Sequence, residues 1–178
     1  FDTVILTPGN FIQNRPPDAP YQGDNPDGAS PLSASRAVLD WLAREAPGTR
    51  VLLYQGWSYM GPFANSFPPS DEAIRRYHAH NRGAYLDWYR DWARMLAEAH
   101  PDMRIDLLPV AAVLGDVLAE PPFDGIPPGA LYTDKAPHGT PTLYLMAAAV
   151  VHAALFDRPL PDAPALSGNI HPLVRENF

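Results

Sequence analysis

Apolar residues along the chain alternate between two rhythms. Short runs rich in β-branched and aliphatic residues occupy positions 4–7, 50–54 and 104–108, and each stops at Pro or Gln. They read as buried strands feeding loops. Between them the spacing becomes three and four residues. Ala34, Val38, Trp41, Leu42 and Glu45 mark a helix over 32–45, which Pro47-Gly48 ends. Ser70-Asp71-Glu72 starts a second helical stretch, with a capping side chain and early acids. It runs to His100, bends near Gly83, and buries Tyr85, Tyr89, Trp92 and Leu96. A short helix is expected over 110–118, a loop over 121–129, and a brief extended piece at Leu131-Tyr132. Thr140-Pro141 opens a last helix to about Phe156, apolar on nearly every side and so expected to be deeply buried.

Strands alternating with helices predict an α/β fold with a parallel sheet and helices on both of its faces. Ligand sites in such sheets form beyond the carboxyl ends of the strands. That directs interest to the loops starting at Pro8, Gln55 and Thr133. The 22 prolines cluster between the apolar runs, so these loops should be long and stiff. The 178 residues suit a single domain. The opening Phe1-Asp2 and the closing 175–178 resemble an entry into a strand and a helix cut in mid-course, so truncation at both ends is expected.

Charge and composition narrow the chemistry. The formal net charge is -7, from 13 basic and 20 acidic residues, and no basic run occurs. Nucleic-acid and anionic-membrane partners are therefore not expected, since phosphate affinity needs clustered Lys and Arg. There is no cysteine, which excludes disulfides, thiolate metal sites and a cysteine nucleophile. No stretch reaches the roughly 20 apolar residues of a membrane span. Cytoplasmic and periplasmic or secreted locations are equally compatible.

The segment Thr133-Asp134-Lys135-Ala136-Pro137-His138-Gly139 puts a carboxylate and an imidazole in one short loop ahead of the last helix. Acyl transfer needs that pair: the imidazole takes a nucleophile's proton, and the carboxylate fixes its tautomer and steadies the imidazolium. A plain surface turn has the same composition. This block resembles the last conserved block of the SGNH (GDSL-type) hydrolases, in which an Asp precedes the catalytic His just before the final long helix. The family separates the two by two residues; here there are three.

The opening Phe1-Asp2-Thr3-Val4-Ile5-Leu6 likewise resembles the family strand that leads to a Gly-x-Asn block. The resemblance makes Gly9 and Asn10 oxyanion candidates, although they are adjacent here and also suit a turn. It implies a three-layer α/β/α sandwich of flavodoxin-like type, and Asp134 and His138 as catalytic partners. It also implies ester hydrolysis on a small molecule or carbohydrate, with no metal or cofactor. The family's Gly-Asp-Ser or Gly-Asn-Ser block does not occur in the chain, so the resemblance puts the nucleophilic serine before Phe1. Without it the chain should be inactive.

Three other readings compete. Gly56-Trp57-Ser58-Tyr59-Met60-Gly61 follows a strand and is similar to a nucleophile elbow, with Ser58 as nucleophile. Its second glycine comes one residue late, and Pro62, Pro68 and Pro69 delay any helix; Trp57 and Ser58 fit better as pocket residues. A non-catalytic module could hold a sugar or an aromatic ligand on Trp57, Tyr59, Phe63 and Phe67. An acyltransferase would use the same catalytic residues. Among the other histidines, His78 and His80 lie two apart on a helix and cannot share an ion, so they should sit on a solvated face. His100 fits a helix end, His152 a hydrogen-bonded core position, and His171 has no evident partner.

Overall fold

A computed structural model describes residues 2–8, 14–161 and 169–177. It is an α/β protein whose one sheet has three parallel strands: β1 (Thr3–Leu6), β2 (Arg50–Tyr54) and β3 (Ile105–Leu108), in the order β1-β2-β3. Val4 faces Val51 across the first pair, and Leu53 faces Leu107 across the second. The helices are α1 (Pro31–Glu45), α2 (Asp71–Arg82), α3 (Ala84–Ala99), α4 (Val110–Val117), α5 (Pro128–Leu131), α6 (Pro141–Phe156) and α7 (Pro172–Asn177). The chain forms two compact units, Phe1–Gly56 with Ala84–Pro109, and Trp57–Gly83 with Val110–Phe178. It passes from one to the other at Gly56, Gly83 and Pro109, all helix- or strand-breaking residues.

The first unit is the sheet with α1 and α3. Ser30 caps α1: its hydroxyl accepts from the Ser33 amide, and the Ser33 hydroxyl accepts from the Ser30 amide. Tyr85, Tyr89, Trp92 and Leu96 form the buried stripe of α3, as their spacing predicts. They pack on Leu39 and Leu42 of α1 and on Val51 and Leu53 of β2. Of the five residues whose spacing marks α1, only Leu42 is buried. Val38 and Trp41 are 40% and 54% exposed, while Leu32, Ser35, Leu39 and Leu42 are buried. The spacing around Leu39 is as regular as that around Trp41, and the contact with α3 selects the former.

The second unit is helical around Met60, Tyr77, Leu131, Leu143 and Met146, all fully or nearly fully buried. Here α2 packs on α4, and α6 packs on α4 and α5. Gly83 ends α2: its amide bonds the carbonyls of Ala79 and His80, and a Cβ there would sit 3.2 Å from the Ala79 oxygen. The expected deep burial of α6 does not occur. Only Thr142, Leu143, Met146 and Ala147 are buried, and Tyr144 and Phe156 are more than half exposed. An all-round apolar helix shows no preferred side, and α4 and α5 cover just one. His152 is correspondingly not a core residue; its Nδ1 meets the Arg158 carbonyl at the surface. The expected loop at 121–129 holds a 3-10 turn at Phe123–Gly125 and the start of α5. Among the described residues no helix is long and apolar enough to cross a membrane.

Candidate functional site

The 133–139 loop is closed by its own backbone and by one carboxylate. Tyr132 and Gly139 pair in an antiparallel bridge, and the Thr133 amide donates to the His138 carbonyl at 2.9 Å. Thr140 locks the exit: its amide donates to the Leu131 carbonyl at 2.9 Å and its hydroxyl to the Ala130 carbonyl at 2.6 Å. Inside the loop, Asp134 Oδ1 accepts the amides of Ala136 at 2.8 Å and of His138 at 3.2 Å. This is an Asx-type turn, which Asp forms readily.

The other oxygen, Asp134 Oδ2, lies 2.7 Å from His138 Nδ1. An ionised carboxylate can only accept, so Nδ1 carries the proton. In the neutral ring Nε2 is then bare, and it has no hydrogen-bond partner among the described residues. The hydrogen bond from the His138 ring holds the Asp134 carboxyl below the usual carboxylate range; burial opposes it, and the His138 and Ala136 amides add to the lowering. The His138 side chain is 71% exposed and that of Asp134 46%. An ion pair this wet adds little stability, so its consequence is orientation of the ring.

Residues 57–65 brace the loop from outside. The Trp57 indole N–H donates to the Pro137 carbonyl at 2.6 Å. The Met60 amide donates to the Lys135 carbonyl at 3.2 Å, and Lys135 Nζ to the Asn65 carbonyl at 3.3 Å. Gly139 lets the rings close in: a Cβ there would lie 3.3 Å from Trp57, Leu143 and Tyr144. Trp57 and Tyr144 themselves pack with ring centroids 5.8 Å apart.

Ser58 is placed differently. It is buried; its amide donates to Asn81 Oδ1 at 3.0 Å and its carbonyl accepts the Tyr77 hydroxyl at 2.7 Å. Its own Oγ has no hydrogen-bond partner, so it is not bonded to the His138 ring. Tyr59 is half exposed. Gly9 and Asn10 lie outside the described residues. Neither the cavity beside α2 nor the smaller one beside Phe63 and Arg76 is lined by His138 or Asp134.

His78 and His80 do not lie on a solvated face. His78 is 8% exposed, with Nε2 3.1 Å from the Tyr132 hydroxyl, and His80 is half buried with its ring 5.0 Å from that of Phe63. Burial, with the positive Arg82 nearby, pushes the His78 imidazole down to about 4. Burial likewise raises the Tyr132 phenol. A sparse apolar content hid this: Ala73, Tyr77 and Asn81 form the buried row of α2, and His78 adjoins it. His100 bonds Asp40 at 2.9 Å, and the His171 amide donates to Thr142 Oγ1. Among the described residues no group of three or more His, Asp or Glu could hold a metal ion.

No family model, curated protein or solved structure matches the chain.

Proposed function

We propose that the chain is the larger part of an SGNH-type serine hydrolase, a three-layer α/β/α enzyme that cleaves an ester or acetyl group from a small molecule or carbohydrate. The observation that carries this is the 2.7 Å contact between His138 Nδ1 and Asp134 Oδ2 in a braced turn, which leaves Nε2 bare. A serine from a segment before Phe1 attacks the ester carbonyl carbon, and its proton goes to His138 Nε2. His138 returns that proton to the departing alkoxide, which leaves as the alcohol. Water then attacks the acyl-serine, again giving its proton to Nε2, and the acid leaves with the serine regenerated. Asp134 holds the ring and steadies the imidazolium at each step. Asn10 and Gly9 are assigned to the oxyanion by the resemblance alone. An acyltransferase would differ only in admitting an acceptor alcohol in place of water.

The packed rings of Trp57 and Tyr144 beside Gly139 favour one second reading, a sugar- or aryl-binding module in which His138 serves as a hydrogen-bonding group. Hydrolysis of p-nitrophenyl acetate by the complete polypeptide and by its His138→Ala variant separates the two. The enzyme reading expects the variant to lose at least about a thousandfold. Equal rates would leave the binding module.

A further inference from the structure

We propose that the second unit holds a separate binding site, for an uncharged molecule with an apolar body and a carbonyl oxygen, in the cavity between α2 and the segment that follows α4. The cavity is about 750 Å³, within the range that small ligands occupy. One wall is a single face of α2, where Ile74, Arg75, His78, Ala79 and Arg82 recur at three- and four-residue spacing. The facing wall is stiff and mostly apolar, with Leu118, Phe123, Ile126, Pro127, Pro128 and Leu131, interrupted by the carboxylate of Asp124. Neither Asp134 nor His138 borders it, so the site is independent of the acyl-transfer reading.

The choice of ligand follows from one hydrogen. The Tyr132 hydroxyl is 3% exposed as a residue, and His78 Nε2 at 3.1 Å is its one hydrogen-bond partner among the described residues. A buried O–H without an acceptor costs about 1–3 kcal/mol, so the phenol donates to Nε2. Burial keeps the ring neutral, and its hydrogen therefore sits on Nδ1. That donor has no acceptor among the described residues, although nine-tenths of His78 is buried and the residue lines the cavity. A ligand in this cavity would meet that N–H with an oxygen acceptor and lay its apolar body against the facing side chains.

The charges on the walls select an uncharged one. Arg82 is already bound to Asp116 at 3.1 Å. Among the lining residues Asp71 and Asp124 balance Arg75 and Arg82, so the walls carry no net charge. Nothing in them repays the desolvation of a carboxylate or an ammonium group, whereas a neutral carbonyl enters at little cost. An amide, ketone or ester carbonyl on an aromatic or alkyl body meets both conditions.

The test is an NMR titration of the ¹⁵N-labelled complete polypeptide with phenylacetamide, phenylacetate and ethylbenzene. Phenylacetamide should shift the amides of Ile74, Ala119 and Ile126 and bind at least about tenfold more tightly than phenylacetate. Ala79→Trp, which fills the mouth from an exposed helical position, should abolish those shifts. His78→Phe, which keeps a ring but removes the donor, should erase the preference for phenylacetamide over ethylbenzene. Absence of shifts with phenylacetamide, tighter binding of phenylacetate, or unchanged binding in Ala79→Trp would each overturn the assignment.

Discussion

Acidification from pH 6.5 to 4 should remove a specific part of the second unit's stability through His78. The ring is 8% exposed, lies between Tyr77 and Tyr132, and has the Arg82 cation nearby. Its folded value is depressed to about 4 against about 6.5 in an unfolded chain. Below pH 6.5 the unfolded chain binds a proton that the folded one refuses, so stability is complete above 6.5 and declines towards 4. At about 1.4 kcal/mol per pH unit, the whole interval amounts to about 3 kcal/mol. For a chain of this size that corresponds to about 6–12 °C in thermal midpoint. Carboxylates also titrate in this range, so the measurement is a difference: thermal unfolding at pH 6.5 and at pH 4, wild type against His78→Gln. The wild type should lose about 3 kcal/mol more than the variant, and the His78 Cε1 proton should titrate near 4 by NMR. A ring that titrates near 6.5, with parallel losses in both proteins, would refute the burial argument.

Two substitutions probe the catalytic assignment. Asp134→Asn can keep both amide acceptances at Oδ1, but it offers Nδ1 an N–H in place of an oxygen. The ring then adopts the other tautomer, and kcat should fall by about 10⁴ while the thermal midpoint stays where it is; a rate within tenfold of wild type would show that the carboxylate does not orient the base. Ser58→Ala deletes a buried hydroxyl that has no partner. It should leave the esterase rate unchanged and alter stability by no more than about 1 kcal/mol, whereas a collapse in kcat at an unchanged midpoint would make Ser58 the nucleophile.

Local physics accounts for what could be read from the chain. The bounds of β2 coincide with its aliphatic run because a central strand is apolar on both faces. The α3 stripe shows because four bulky residues, three of them aromatic, recur at helical spacing. Asp134 and His138 meet because they are the ends of one Asx turn with three residues between them, which brings their side chains within hydrogen-bond reach. The rest depends on partners distant in sequence. Which side of α1 turns inward is decided by α3, and how far α6 is covered is decided by α4 and α5. The burial of His78 depends on Tyr132, 54 positions away, and nothing in the composition of α2 announces it. The brace from Trp57 to Pro137 spans 80 positions and is equally invisible in the order of residues.

The most direct measurement is covalent labelling of the complete polypeptide with a fluorophosphonate, followed by peptide mass mapping. If the bare nitrogen of His138 activates a serine, the wild type should gain one phosphonyl adduct on a serine, and His138→Ala should label at least about a thousandfold more slowly. An unlabelled wild type, or a serine that labels equally fast without the imidazole, would contradict the account.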